Sequence, residues 1–169
     1  MTALATVDAY NVSLWLHISA VVVGFGATFA EALTFPVALK MDKRHLPYVH
    51  RLGIAINRWL ATPALVLILA TGIFQVAHND GRGWSFGDAW ISATFAIVIV
   101  LGGLNGAYFI PEDRRLEAMA AAEVAAAGTG QITLSEEYLR RSRNEGIVGA
   151  IAGLLVIVAV FLMVTKPGA

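Results

Sequence analysis

The chain has 169 residues, of which 57% are hydrophobic and 14% charged, and its formal net charge is zero. Soluble domains carry about 25% charged residues, so the composition excludes an ordinary soluble domain. It indicates an integral membrane protein whose first partner is the lipid bilayer. The balanced charge gives no reason to expect a nucleic-acid partner. The absence of cysteine excludes disulfides, thiolate metal sites and thiol redox chemistry.

Four apolar stretches are each long enough to cross a bilayer, which takes about 20 helical residues. They cover approximately residues 12–39, 57–78, 89–110 and 146–165. No linker divides them, so we expect one all-α transmembrane domain over residues 1–169, built as a four-helix bundle. The first stretch has no basic segment in front of it, and we interpret it as a retained helix rather than a signal peptide.

Basic residues are concentrated in two of the connections. The first connection, with its helix ends, holds five and the third holds five, whereas the second holds only Arg82 and the C-terminus only Lys166. The positive-inside rule places the two basic connections in the cytoplasm. We therefore expect a multi-pass protein of the bacterial cytoplasmic (inner) membrane with both termini outside. His45 and His50 in the first connection suit anionic lipid head groups or haem propionates.

The third connection is predicted to be a cytoplasmic helical hairpin between the third and fourth spans. Its sequence PEDRRLEAMAAAEVAAAG is rich in strong helix formers and continues the third helix, with a bend expected at Pro111. Residues 128–130, Gly-Thr-Gly, end that helix. A capping box from Thr133 to Glu136 is predicted to begin the next one. The hairpin is either a solvated spacer or a docking surface for a partner.

Glycines recur at spacings that favour close helix packing in lipid. They are Gly24 and Gly26 in the first span, Gly102, Gly103 and Gly106 in the third, and Gly146, Gly149 and Gly153 in the fourth. The packing they predict is either within one bundle or between the protomers of a homo-oligomer.

His17 and His78 are the candidate ligands of a cofactor or metal. His17 lies near the outer end of the first span and His78 at the outer end of the second. Two neutral imidazoles on different helices can hold haem iron or another metal ion, so haem b is the candidate cofactor. The alternative for His78 is a solvated helix end.

Glu31, Arg58, Asn105 and Tyr108 are predicted to form a buried polar cluster nearer the cytoplasm. A carboxylate within apolar sequence is costly unless it is paired, protonated or hydrated. Arg58 or Arg51 is the expected partner of Glu31, with Asn105 and Tyr108 as hydrogen-bond donors. The cluster would be a proton relay, an ion site or an anchor for a polar substrate, or else a pair that sets the helix register.

The segment Leu16-His17-Ile18, Gly24 and the basic loop at residues 40–51 resemble the first helix of a bacterial group of small four-helix membrane proteins. That group, mostly uncharacterised, is distantly similar to the CopD copper-resistance and HemJ protoporphyrinogen-oxidase-like families. The resemblance covers roughly residues 12–115, and through HemJ it implies a haem-binding role for His17. Residues 33–37 depart from the HemJ pattern because they contain no arginine, and the Met- and His-rich patches of a copper carrier are absent.

Three functions are compatible with these features. The first is a haem-associated membrane protein, for redox chemistry or haem handling, that uses His17. The second is an oligomeric transporter or channel subunit centred on Glu31 and Asn105, and the third is a non-catalytic membrane partner protein. Because no nucleotide-binding glycine loop, HExxH motif or nucleophile elbow is present, hydrolytic chemistry has no support. Whether the protein is an enzyme stays open.

Overall fold

The computed structural model describes residues 8–79, 81 and 83–168. Across them the chain forms four long helices: α1 (Ala9–Ala38), α2 (Lys43–Ala77), α3 (Ala89–Ala127) and α4 (Glu136–Thr165). Each is long and apolar enough to cross a membrane, and the predicted all-α architecture is confirmed. Arg82, which was counted for orientation, lies outside the described residues.

The second helix begins at Lys43, well before the predicted start of its span at residue 57. The side chain of Asp42 accepts a hydrogen bond from the Arg44 backbone N–H at 3.0 Å and so caps the first turn. The segment Leu46–Ile56 is helical because one of its faces is covered: Leu46 is fully buried and His50 is 3% exposed. The basic connection is therefore largely helix rather than loop.

Both α2 and α3 contain one π-helical turn, at Asn57–Ala61 and at Asn105–Phe109. Each turn starts at an asparagine and ends two residues before a proline, Pro63 or Pro111. A proline inside a helix has no N–H to donate and clashes with the preceding turn. In both cases the residue after the π turn donates its N–H to the asparagine carbonyl five residues back. The irregularity thus precedes Pro111, and α3 continues through it as predicted.

The predicted helical hairpin joins α3 to α4. The first helix of the hairpin ends at Gly128, whose φ of 54° suits glycine. The Arg44 guanidinium donates to the carbonyls of Gly128 at 2.6 Å and Gly130 at 3.0 Å, which ties the turn to the start of α2. The capping box predicted from Thr133 is wrong by two residues, because the N-cap is Ser135, whose hydroxyl accepts from the Tyr138 N–H at 3.2 Å.

We call the end of the bundle that carries this turn the hairpin end. There the segment Leu46–Ile56 packs against Ile110–Ala127, while further along α1 packs on Thr62–Ala77 and α4 on Ala89–Leu104. Separate apolar clusters fill the hairpin end and the middle of the bundle. They are Ala38, Leu46, Leu116, Ala120 and Tyr138 at the hairpin end, and Ala20, Ile68 and Val98 in the middle.

Large apolar side chains cover the outside of the bundle. Trp15 is 66% exposed, Leu33 72%, Trp59 71% and Val164 75%. A soluble monomer rarely exposes so much contiguous apolar surface, whereas lipid tails solvate it. The outer face therefore agrees with insertion in a bilayer.

The glycines divide into two groups. Gly24 packs directly against Ala64, and a Cβ on Gly72 would lie 3.7 Å from Cε1 of His17. By contrast, five glycines of α3 and α4 have no neighbouring atom within 4 Å of where a Cβ would be: Gly102, Gly103, Gly106, Gly146 and Gly149. These five do not bring the helices of one chain together, and packing between protomers stays a prediction.

Candidate functional site

A cavity of about 390 Å³ lies between the four helices, on the side towards the hairpin end. Apolar side chains such as Phe25, Leu65 and Val156 form much of its wall. Nine polar side chains also line it: Thr28, Glu31, Thr34, His50, Asn57, Asn105, Asp113, Ser142 and Glu145. A concave, mostly apolar pocket with a few convergent polar groups is the usual form of a ligand site.

His50, from α2, links to α3 and α4 through both ring nitrogens. Its Nδ1 lies 2.9 Å from Oδ1 of Asp113, and its Nε2 lies 2.8 Å from the hydroxyl of Tyr138. An ionised carboxylate can only accept a hydrogen bond, so Nδ1–H donates to Asp113. When the imidazole is neutral, Nε2 carries no hydrogen and accepts from the Tyr138 hydroxyl. Gly53, one turn further along α2, leaves room for Asp113, since a Cβ there would lie 3.0 Å from Oδ2.

Glu145, from α4, joins this group. One possible ligand atom from each of His50, Asp113 and Glu145 lies within 4.8 Å of the other two. His50 and Asp113 are buried and Glu145 is half-buried. Side chains of three helices thus meet at one wall of the cavity.

A series of hydrogen bonds between polar side chains crosses the cavity between the two π turns. The Asn57 amide donates to Oε1 of Glu31 at 3.2 Å. The Asn105 amide donates to the Thr62 hydroxyl at 2.8 Å, and that hydroxyl donates to the Asn57 carbonyl at 2.8 Å. Asn105 is 6% exposed, and its Oδ1 is buried with no hydrogen-bond partner among the described residues. One acceptor of the cavity wall is therefore unused.

The structure brings only part of the predicted cluster together. Asn105 is linked to Glu31 by the series of hydrogen bonds through Asn57. The guanidinium of Arg58 instead lies over the Trp59 ring, 5.7 Å from the ring centroid. Tyr108 packs edge-on against Phe109 at 5.4 Å between ring centroids. Within the described residues Glu31 forms no ion pair, so the expected pairing with an arginine is replaced by the amide of Asn57.

His17 and His78 occupy different surroundings. His17 is half-buried, and its Nδ1 lies 2.9 Å from Oγ1 of Thr71 on α2. His78 is exposed at the end of α2 and stacks on Phe74 at 4.4 Å between ring centroids. Since Thr71 and His78 are about two turns apart, roughly 10 Å along the helix, the structure does not bring the two imidazoles together.

Carboxylates inside and outside the cavity differ in their partners. Three outside it pair with arginines: Glu112 and Glu137 with Arg141, at 2.9 and 3.0 Å, and Glu117 with Arg51, at 2.6 Å. Among the described residues, Glu31 and Glu145 form no ion pair with a basic side chain. Glu145 has Asp113 as a near neighbour, within 4.8 Å between carboxylate oxygens, and shares the cavity with Glu31. The cavity therefore holds two carboxyl groups, those of Glu31 and Glu145, that no described lysine or arginine pairs with.

Asp113 and Glu145 are not among the residues predicted from the sequence, and His50 is predicted to contact lipid head groups or haem propionates from a basic connection. A signal was nevertheless present. Phe109, Asp113, Leu116 and Ala120 follow each other at helical spacing, and Leu116 and Ala120 are fully buried. Asp113 thus lies on the buried apolar face of its helix. A polar residue on that face is predicted to be buried.

Comparison with known proteins supplies a family. A family model described as "Predicted integral membrane protein (DUF2269)" matches residues 11–167. No curated protein and no solved structure matches the chain, so the likeness to CopD and HemJ gains no support from these comparisons. The chain belongs to the DUF2269 family of predicted integral membrane proteins.

Proposed function

We propose that the protein moves cations across the membrane and that the cavity between the four helices is its cation-binding site. One observation carries the proposal: Glu31 and Glu145 line the cavity, and neither pairs with a basic side chain among the described residues. A carboxylate within a membrane protein is costly unless it is neutralised or hydrated. A cation, the proton included, is the partner that such a cavity favours.

The two π turns support the same proposal. Asn57 and Ala61 of one turn, and Asn105 and Phe109 of the other, line the cavity. π turns inside α-helices occur frequently at functional sites, and helices interrupted by proline or glycine mark the binding sites of many membrane transporters. The two π turns are hydrogen-bonded to each other beside Glu31. They form parts of the cavity wall that can rearrange around a bound cation.

The distribution of basic residues predicts which face of the membrane the cavity lies nearer to. With the hairpin end in the cytoplasm of a bacterial inner membrane, as the positive-inside rule predicts, the cavity lies nearer the cytoplasmic face. Release to the other side then needs a path past the apolar cluster of Ala20, Ile68 and Val98. Gly146 and Gly149 line the cavity, whereas Gly102, Gly103 and Gly106 do not and have no neighbour within 4 Å of a Cβ position. These three glycines of α3 offer a surface for further copies, as the homo-oligomer hypothesis requires.

Purified protein in liposomes tests the proposal. A pH-sensitive dye inside the vesicles reports proton flux, and a divalent-sensitive dye reports Mn²⁺ flux. We expect the wild type to exceed empty liposomes for at least one ion. Glu31→Gln and Glu145→Gln, which keep the side-chain shape and remove the charge, are each expected to lower that flux at least tenfold.

Glu137→Gln is the matched control. It removes a carboxylate of α4 that is exposed and paired with Arg141 outside the cavity, and we expect unchanged flux. Wild-type flux no greater than that of empty liposomes for both ions would contradict the proposal. So would a flux that Glu31→Gln and Glu145→Gln leave intact.

The other two hypotheses have less support. A haem-associated function is supported by the resemblance around His17 alone and stays a prediction. A non-catalytic partner role would use the hairpin surface, where Glu136 and Arg140 are exposed. No contact within the described residues points to either function over cation transport.

A further inference from the structure

We infer that His50, Asp113 and Glu145 form a binding site for a divalent first-row transition-metal ion such as Mn²⁺, Fe²⁺ or Zn²⁺. The inference names the cation class for the cavity and in that respect rests on the proposed function. The site would lie at the wall of the cavity towards the hairpin end, where α2, α3 and α4 meet.

The geometry is close to that of a coordinated ion. The three ligand atoms lie within 4.8 Å of one another. Metal–ligand distances of about 2.0–2.2 Å place two ligands of one ion at most about 4.4 Å apart. A side-chain adjustment of less than about 1 Å therefore brings all three atoms onto one centre.

The donor set selects the metal class. One imidazole nitrogen with two carboxylates suits Mn²⁺, Fe²⁺ and Zn²⁺, whereas Mg²⁺ and Ca²⁺ prefer oxygen ligands throughout. The chain has no cysteine, so soft thiolate sites are excluded. A divalent charge also neutralises the two carboxylates of the site, Asp113 and Glu145, whose oxygens lie within 4.8 Å of each other.

Tyr138 completes the arrangement around His50. A metal ion at Nδ1 replaces the hydrogen that this nitrogen shares with Asp113. The imidazole stays neutral because its proton moves to Nε2, which then donates to the Tyr138 oxygen, 2.8 Å away. Histidines that bind metals almost always donate their other ring N–H to an oxygen in this way.

An independent observation also points to a ligand in the same cavity. Asn105 is 6% exposed and lines the cavity, yet its Oδ1 has no hydrogen-bond partner among the described residues. Buried polar atoms are nearly always satisfied. Asn105 lies eight residues, about 12 Å along α3, from Asp113, so its oxygen is a candidate acceptor for the hydrated ion as it enters the cavity and not for the ion at its site.

Equilibrium dialysis of the full-length protein, purified in detergent and stripped with EDTA, tests the inference. Bound Mn²⁺ and Zn²⁺ are measured by mass spectrometry with and without a hundredfold excess of Mg²⁺. We expect one ion per chain that Mg²⁺ does not displace. Glu145→Gln is expected to lower the affinity at least 100-fold, and Tyr138→Phe, which removes only the hydroxyl, 10- to 100-fold.

Two control variants show whether the metal ion binds outside the proposed site. Glu137→Gln and His45→Gln remove exposed groups near the hairpin end, and both are expected to bind like the wild type. The inference is overturned if the wild type binds no ion, if Mg²⁺ competes equally, or if Glu145→Gln binds unchanged. Elution volume and helical circular dichroism confirm that each variant is folded. If Glu145→Gln does not fold, Tyr138→Phe decides, since unchanged affinity there also overturns the inference.

The dialysis does not depend on transport, so the two proposals fail separately. Metal binding without flux in liposomes would remove the transport proposal and leave the site. Flux that depends on Glu31 without metal binding would leave transport and remove the metal.

Discussion

Gly24 of α1 packs so closely on Ala64 of α2 that a Cβ on Gly24 would lie 2.7 Å from the Ala64 Cβ. Real Cβ atoms do not approach so closely, so Gly24→Ala forces the two helices apart. Overpacking of this kind costs about 1–3 kcal/mol. We expect a lower thermal unfolding midpoint for Gly24→Ala, measured in detergent by tryptophan fluorescence.

Gly26 provides the matched control on the same helix. It is exposed, and no atom lies within 4 Å of where its Cβ would be. Alanine exceeds glycine in helix propensity by about 1 kcal/mol, so Gly26→Ala is expected to be neutral or slightly stabilising. If Gly24→Ala and Gly26→Ala lowered the unfolding midpoint equally, the close contact between α1 and α2 would not be the cause of the destabilisation.

The orientation of the chain is directly testable because it contains no cysteine. Thr129 lies in the exposed turn of the hairpin and Ser85 in the exposed connection between α2 and α3. We expect Ser85→Cys to react with a membrane-impermeant maleimide in intact spheroplasts. Thr129→Cys is expected to react only after lysis, since the hairpin is predicted to be cytoplasmic. The opposite pattern would reverse the predicted topology.

The resemblance around His17 predicts a Soret band in purified protein supplied with haem. His17→Ala is expected to remove the band, because an imidazole is the predicted iron ligand. His78→Ala is the informative comparison: the structure separates the two histidines, so the band is expected to survive it. A wild type without a band would exclude haem binding, and a band that survives His17→Ala would exclude His17 as the ligand.

The helices illustrate what could be predicted. Apolar length alone identifies four spans, and the alanine-rich sequence after Pro111 is sufficient to predict the hairpin. The early start of α2 is not predicted, because the charged residues Lys43, Arg44 and His45 are typical of a connection between two spans. Helix over Leu46–Ile56 depends on burial of Leu46 and His50 against α3, and that contact is not a local property.

The candidate site shows a stronger dependence on the tertiary structure. His50 and Asp113 are 63 residues apart along the chain, and His50 and Tyr138 are 88 apart. No motif at a fixed spacing links such residues. Glu31 was recognised because a carboxylate stands out within a 28-residue apolar stretch (residues 12–39). Asp113 and Glu145 do not stand out in the sequence in this way, because they lie among other charged residues.

The sequence by itself therefore determined the membrane location, the helix count and the presence of a carboxylate that needs a partner. Those follow from the local cost of placing polar groups and backbone in lipid. Only the tertiary structure decided which partner each polar group has: an amide rather than an arginine for Glu31, a threonine rather than a second histidine for His17. The reason is that these contacts depend on which helix faces meet, and packing between helices sets that choice.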